Sequence, residues 1–203
     1  MRKFVIIAVI AVVAAVAALY VVAERANAPS QGSSRVNFQN LEPITSMLIT
    51  SPSFQNNSSI PQKFTCDGST SLTAGGGNIN PELQIQNVPA NAKSLALIMH
   101  DPDAPVAGGF THWLVWNIDS KTAVIKEGSV PVGSVEGKNG ADKIGYIGPC
   151  PPSGVHHYHF QLYALDATLN LTLGGTKDQL ESEIQKHLLA KAELIGLYQR
   201  QGQ

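Results

Sequence analysis

The pattern of apolar and polar positions divides the chain into stretches of different kind. From Phe4 to Ala23 the run FVIIAVIAVVAAVAALYVVA carries no charge and is apolar on every helical face. Arg2 and Lys3 precede it, and Glu24 and Arg25 close it. At about 1.5 Å per helical residue, such a run spans the ~30 Å hydrocarbon core of a bilayer. A secretory signal has a shorter apolar stretch, typically ~7–15 residues, followed by small residues at the cleavage site. Ala26-Asn27-Ala28 offers such a site, but Pro29 would then occupy the first mature position. The expectation for 1–26 is an uncleaved transmembrane helix, a signal anchor, with secretion after cleavage as the alternative. Positive charge at the N-terminus keeps that end cytoplasmic and sends the following domain outside.

Residues 27–46 are polar, rich in Asn, Gln and Ser, and without period, as suits a linker between membrane and domain. From 47 to 203 the chain reads as one domain of short strands between turn clusters. The expected strands are Met47–Thr50, Ile60–Thr65, Leu83–Val88, Ser94–His100, His112–Ile118 and His157–Leu165. Ser69–Gly77 (STSLTAGGG) reads as a surface insert. Near the end the period changes from two to that of a helix. Thr176 and Gln179 form a capping-box pattern, and Leu180, Ile184, Leu188 and Ile195 follow at helical spacing. A helix from about Lys177 to Tyr198, packed on a sheet, is predicted. The expected class is mostly β in two layers with a C-terminal helix.

Composition changes the picture at two points. The whole chain has 14 Lys+Arg and 15 Asp+Glu. Three of those bases and one acid lie in the first 28 residues, which leaves 11 against 14, a net of −3, on the rest. A weakly acidic domain without a basic block is a poor match for nucleic acid. Export also gives the two cysteines two readings: Cys66 and Cys150 form a disulfide, or remain two buried thiols. Neither sits in C-x-x-C, which argues against redox catalysis and zinc. Asn56, Asn57 and Asn170 begin N-x-[ST] sequons.

Two strand ends carry more chemistry than turns require. In Met99-HDPDAPVAGGFTHWLVWNI, Pro102 and Pro105 stiffen the segment after Asp101 and Asp103, and Gly108-Gly109 lets the chain return to His112. In GPCPPSGVHHYHFQLYAL a proline-rich loop leads into an alternating strand. Period two places His156, Tyr158 and Phe160 on one face and His157, His159 and Gln161 on the other. A His/His/Asp metal set is conceivable, but no paired ligand spacing supports it. Nucleophilic catalysis lacks an activated residue, since Ser153 is outside G-x-S-x-G and Cys150 is flanked by prolines. Imidazoles, a Tyr hydroxyl and loop amides, with a carboxylate orienting one ring, fit a small anion pocket best. No cofactor is expected.

The motifs D-P-D-A-P, G-G-F-x-H-W, G-P-C-P-P-x-G and H-x-Y-x-F-x-L-Y-A-L-D, in this order, closely resemble the phosphatidylethanolamine-binding protein family. The resemblance is to its prokaryotic YbhB/YbcL-type, Raf kinase inhibitor-like branch, over about Met47–Arg200. It implies a Greek-key β-sandwich of two antiparallel sheets with a C-terminal helix. It also implies a phosphate-like anion pocket built from Asp101, Asp103, His112, Gly148, Pro149, His156 and Tyr158. The chain departs from the family pattern at Asn80 and Ile85, where relatives carry N-x-S-P-x-L-x-W, and in the longer insert. The expected role is non-enzymatic binding of a phosphorylated small molecule or lipid headgroup near a membrane, with control of a protein partner. Inhibition of an exported protease or other hydrolase is the alternative. A hydrolase using Asp101 and His112 on a water ranks third.

Overall fold

The computed structural model describes residues 46–68 and 78–200, within the unit Thr45–Gln203. The expected membrane span, nearly all of the 27–46 linker and the insert 69–77 lie outside the described residues. Among the described residues no helix is long and apolar enough to cross a membrane.

Strand β4 (Ser94–Asp101) organises the rest. Its sequence SLALIMHD is an almost continuous apolar run, and all but His100 are buried. That follows from its position as a middle layer. Leu95, Leu97 and Met99 face one core cluster while Ala96 and Ile98 face another. On one side β4 pairs antiparallel with β5 (Phe110–Asp119), and on the other with β8 (His156–Leu165). β9 (Leu188–Tyr198) adds beside β8, β2 (Ser58–Ser59) pairs parallel with β9, and β7 (Val135–Glu136) closes the far edge. The larger sheet therefore has the order β2-β9-β8-β4-β5-β7. The smaller sheet joins β1 (Leu48–Thr50), β3 (Leu83–Gln86) and β6 (Val124–Ile125) in the order β1-β3-β6.

The first core cluster fills the space between the two sheets. Ile49, Leu83, Ile85 and Ile125 come from the smaller sheet and Leu97, Trp113, Phe160 and Leu194 from the larger. The second lies on the larger sheet's outer face, where helix α1 (Lys177–His187) presses Leu180 and Ile184 onto Ile98, Leu114 and Trp116. α1 starts at the capping box seen in the sequence: the Thr176 hydroxyl accepts from the Gln179 N–H, and the Gln179 side chain accepts from the Thr176 N–H.

Two sequence expectations are corrected. The helix stops at His187 rather than near Tyr198, and Leu188–Tyr198 is strand β9. Its buried residues Ala192, Leu194 and Tyr198, with Gly196 between, follow period two, and residues 188–198 are registered against β8 from Leu165 back to His156. The span Ile60–Thr65 is not a strand. Pro61, which has no N–H for a ladder, is followed by a 3₁₀ turn at Gln62–Phe64, and only Ser58–Ser59 pair.

Candidate anion-binding site

Antiparallel pairing brings the end of β4 beside the start of β8. The buried Asp101 carboxylate lies between them. Its Oδ2 accepts a hydrogen bond from His156 Nδ1–H at 2.7 Å, and its Oδ1 accepts from the backbone N–H of Asp103 at 2.9 Å. A carboxylate can only accept, so the His156 proton is assigned to Nδ1 and the ring is held with Nε2 away from Asp101. His156 and Tyr158 are buried and His157 is exposed, as strand parity predicts.

His112 reaches the same floor by a different route. Met99 lies opposite Trp113 and His100 opposite Thr111, so His112 is the extra residue of a β-bulge in β5. Trp113 faces the inter-sheet core, and simple alternation would send His112 outward. The bulge instead turns it inward, where it is 4% exposed. Its ring lies edge-on between Phe110, at 4.9 Å, and Tyr158, at 5.1 Å. Nδ1–H donates to the Ile147 carbonyl at 2.8 Å, and the Ile147 N–H returns a bond to the His112 carbonyl at 3.0 Å. Burial pulls the His112 pKa down to about 4, against the opposing pull of the Ile147 carbonyl. An imidazole that serves an anion pocket is expected to donate, and His112 departs from that expectation. With Nδ1–H spent on Ile147, the neutral ring presents Nε2 as an acceptor.

Above these rings opens a cavity of about 240 Å³. Asp101, His112 and His156 supply its polar floor. One wall is Ala104, Pro105, Val106 and Phe110 from the β4–β5 loop, and the other is Ile147, Gly148, Cys150, Pro151 and Pro152. The first wall folds back at Gly109, whose φ of +73° and close approach to the Asp101 carbonyl leave no room for a Cβ. The second is fastened at three points. Cys150 is disulfide-bonded to Cys66, Cys66 N–H donates to the Pro149 carbonyl at 3.0 Å, and Gly148 N–H donates to Asn78 Oδ1 at 3.0 Å. The cysteine pair left open by the sequence is thus joined in the structure and braces the cavity wall.

Of the seven residues expected at the site, Asp101, His112, Gly148 and His156 line the cavity. Tyr158 lies beneath them, fully buried, with its ring 6.4 Å from His156, and burial pushes its hydroxyl pKa upward. Its hydroxyl is buried without a partner, which no other described side chain shows. Asp103 does not line the cavity. Its Oδ2 accepts from the ring and the backbone of His157, at 2.7 and 2.8 Å, on the outside of the sheet, and these bonds hold its pKa down. Pro149 contributes its carbonyl to Cys66 rather than a surface to the cavity. The apolar wall residues were not identified as site residues from sequence. Among the described residues no His, Cys, Asp and Glu cluster has the geometry to hold a metal.

The phosphatidylethanolamine-binding protein family model matches residues 50–199. The chain belongs to that family. A UPF0098 protein of Pyrococcus abyssi is 44% identical over 162 residues, spanning 76% of this chain and 86% of the relative. A UPF0098 protein of Methanothermobacter thermautotrophicus is 44% identical over 76% of this chain and 99% of its own length. Among solved structures, the phosphatidylethanolamine-binding protein homologue CT736 of Chlamydia trachomatis superposes with a TM-score of 0.70 at 40% identity, covering 76% of this chain and 98% of CT736. YbcL of E. coli, a further family member, gives 0.69 at 27% identity, over 76% and 99% of the two chains. In this phosphatidylethanolamine-binding protein homologue the rim of the larger sheet thus carries two buried imidazoles over an unpartnered phenol, between apolar walls.

Proposed function

We propose that this protein binds a small oxyanion, foremost a phosphate ester, in the cavity above His112 and His156 and does not turn it over. The observation that carries this reading is the convergence of the two buried imidazoles of His112 and His156 on one cavity floor between apolar walls. At about 240 Å³ the space is below the ~300–1,000 Å³ of pockets for drug-sized molecules. A headgroup or small ester fits this size, with its apolar part against Pro105, Val106 and Pro151. The absence of turnover is supported by what occupies the reactive positions. Cys150 is in the disulfide, Ser153 is exposed, and Asp101 is engaged with His156 and Asp103.

Phenyl phosphate titrated calorimetrically into the protein should bind saturably, with no phosphate released. The Asp101 carboxylate at Nδ1 and an anion at Nε2 together favour a second proton on the His156 ring, and a charge-assisted bond from it is worth ~1.5–3 kcal/mol, so His156→Ala should lower affinity about ten- to a hundredfold. His157→Ala, on the opposite strand face, should change it less than about threefold, because the His157 backbone N–H still holds Asp103. Equal losses in both variants would move the site elsewhere. The apolar run 4–23 supports export and tethering to a membrane, which would place this binding function near lipid and any protein partner outside the cytoplasm. Protease added to intact spheroplasts should then digest the domain, and full protection until lysis would overturn the export.

A further inference from the structure

We propose that the site selects oxyanions that bring their own proton: phosphate monoesters as monoanions, in preference to sulfate monoesters and phosphodiesters of equal charge. This rests on the oxyanion reading above and specifies its ligand class. The argument begins with a tautomer. His112 Nδ1 lies 2.8 Å from the Ile147 carbonyl, which can only accept, so the single proton of the neutral ring sits on Nδ1. The return bond from Ile147 N–H to the His112 carbonyl fixes that segment, so the carbonyl is not free to swing away. Nε2 therefore carries a lone pair. It is not sealed in protein, since the Tyr158 hydroxyl is the sole buried orphan among the described side chains, and His112 lines the cavity.

An oxyanion with no proton meets this lone pair with its own. One of two things must supply a proton. His112 can take a second one, but its pKa of about 4 makes that costly by about a thousandfold at pH 7. Alternatively the ligand supplies it. A phosphate monoester has a second pKa near ~6, so presenting a P–OH at pH 7 costs only about tenfold. Sulfate monoesters and phosphodiesters have no such proton to give. The charged groups around His112 modulate the preference. Asp101 favours a proton on the ring, while His100 and His156 oppose it when charged. Phe110 and Tyr158, the two rings packed on it, carry no charge at this pH. A bound anion draws the His112 pKa up and narrows the hundredfold gap, so a selectivity of tenfold or more is expected.

The test uses the full chain and three ligands sharing one alcohol: phenyl phosphate, phenyl sulfate and methyl phenyl phosphate. At pH 5.5 all three carry about one negative charge, and only phenyl phosphate carries a proton on its anionic group. At this pH a second proton on His112 costs about thirtyfold and the P–OH of phenyl phosphate less than about twofold, so calorimetry should show phenyl phosphate binding about tenfold tighter than either of the others. Its affinity should fall more than tenfold by pH 7.5. Affinities within threefold of one another at pH 5.5 would overturn the proposal while leaving oxyanion binding intact. Failure of all three to bind would instead overturn the oxyanion reading, and this one with it. Short-chain phosphatidic acid and phosphatidylglycerol, a lipid monoester and a lipid diester, identify the source. Binding of phosphatidic acid in competition with phenyl phosphate supports a lipid monoester, its failure to bind beside phenyl phosphate supports a soluble one, and a preference for phosphatidylglycerol overturns the proposal.

Discussion

Asp101 is the residue on which the site's geometry depends most, and two substitutions separate what it does. It is 3% exposed and serves two donors, His156 Nδ1–H at 2.7 Å and Asp103 N–H at 2.9 Å. Asp101→Ala leaves both donors buried without an acceptor. At about 1.5–2.5 kcal/mol for each buried donor that loses a carboxylate acceptor, the cost is about 3–5 kcal/mol together. With a urea slope of about 2 kcal/mol/M for a domain of this size, the unfolding midpoint should drop by about 1.5–2.5 M. Asp101→Asn has nearly the same shape and a different outcome. Its amide oxygen can accept from Asp103 N–H while its NH₂ donates to His156 Nδ1, provided the imidazole proton moves to Nε2. Both hydrogen bonds survive without charge assistance, so the stability cost should be only about 1 kcal/mol. The tautomer reverses, however, and ¹⁵N NMR of the His156 ring should show Nδ1 changing from protonated to unprotonated. Urea titrations of both variants and the ring spectrum of Asp101→Asn form the assay. Similar losses in the two variants, or an unchanged His156 tautomer in Asp101→Asn, would refute the role assigned to this carboxylate.

Two further predictions concern the cavity wall and the floor. The Cys66–Cys150 bond closes a loop of sequence separation 84, which the chain-entropy account values at about 4–5 kcal/mol, so reduction should lower the urea midpoint by about 2 M and weaken phenyl phosphate binding; two thiols labelled by alkylation without reductant would refute the bond. His112 has its folded pKa lowered to about 4 from an ordinary 6.5, so the unfolded chain binds the extra proton first as pH falls. Its contribution is complete above pH 6.5 and is lost toward pH 4, with about 2 kcal/mol gone by pH 5. His112→Gln should flatten that part of the stability profile, and an unchanged slope would contradict the burial argument.

The legible and illegible parts of the sequence differ in the range of the forces involved. Strand β8 was legible because one face meets the core and the other meets solvent, so alternation alone separates His156 and Tyr158 from His157. The start of α1 was legible because its capping box is a local hydrogen-bond exchange. Its end was not. No Gly or Pro interrupts His187-Leu188, and Leu188 and Ile195 happen to continue the spacing of Leu180 and Ile184. The chain leaves the helix because long-range pairing with β8 wins over local propensity, and no local window contains that partner. The inward turn of His112 was hidden for a related reason, since a bulge is defined by two strands together. The family motifs placed His112 at the site, but only the structure shows that Ile147 takes its proton. The apolar walls were hidden because Ala104, Pro105, Val106, Pro151 and Pro152 read in sequence only as turn residues.

Histidine-selective NMR during a phosphate monoester titration tests the central claim most directly, because the six rings report separately on both faces of the larger sheet. Phenyl phosphate at pH 5.5 should shift the ring signals of His112 and His156 along one saturable curve, leaving His157, His159 and His187 in place. Shifts confined to the exposed rings, or none up to millimolar ligand, would contradict an oxyanion site on this floor.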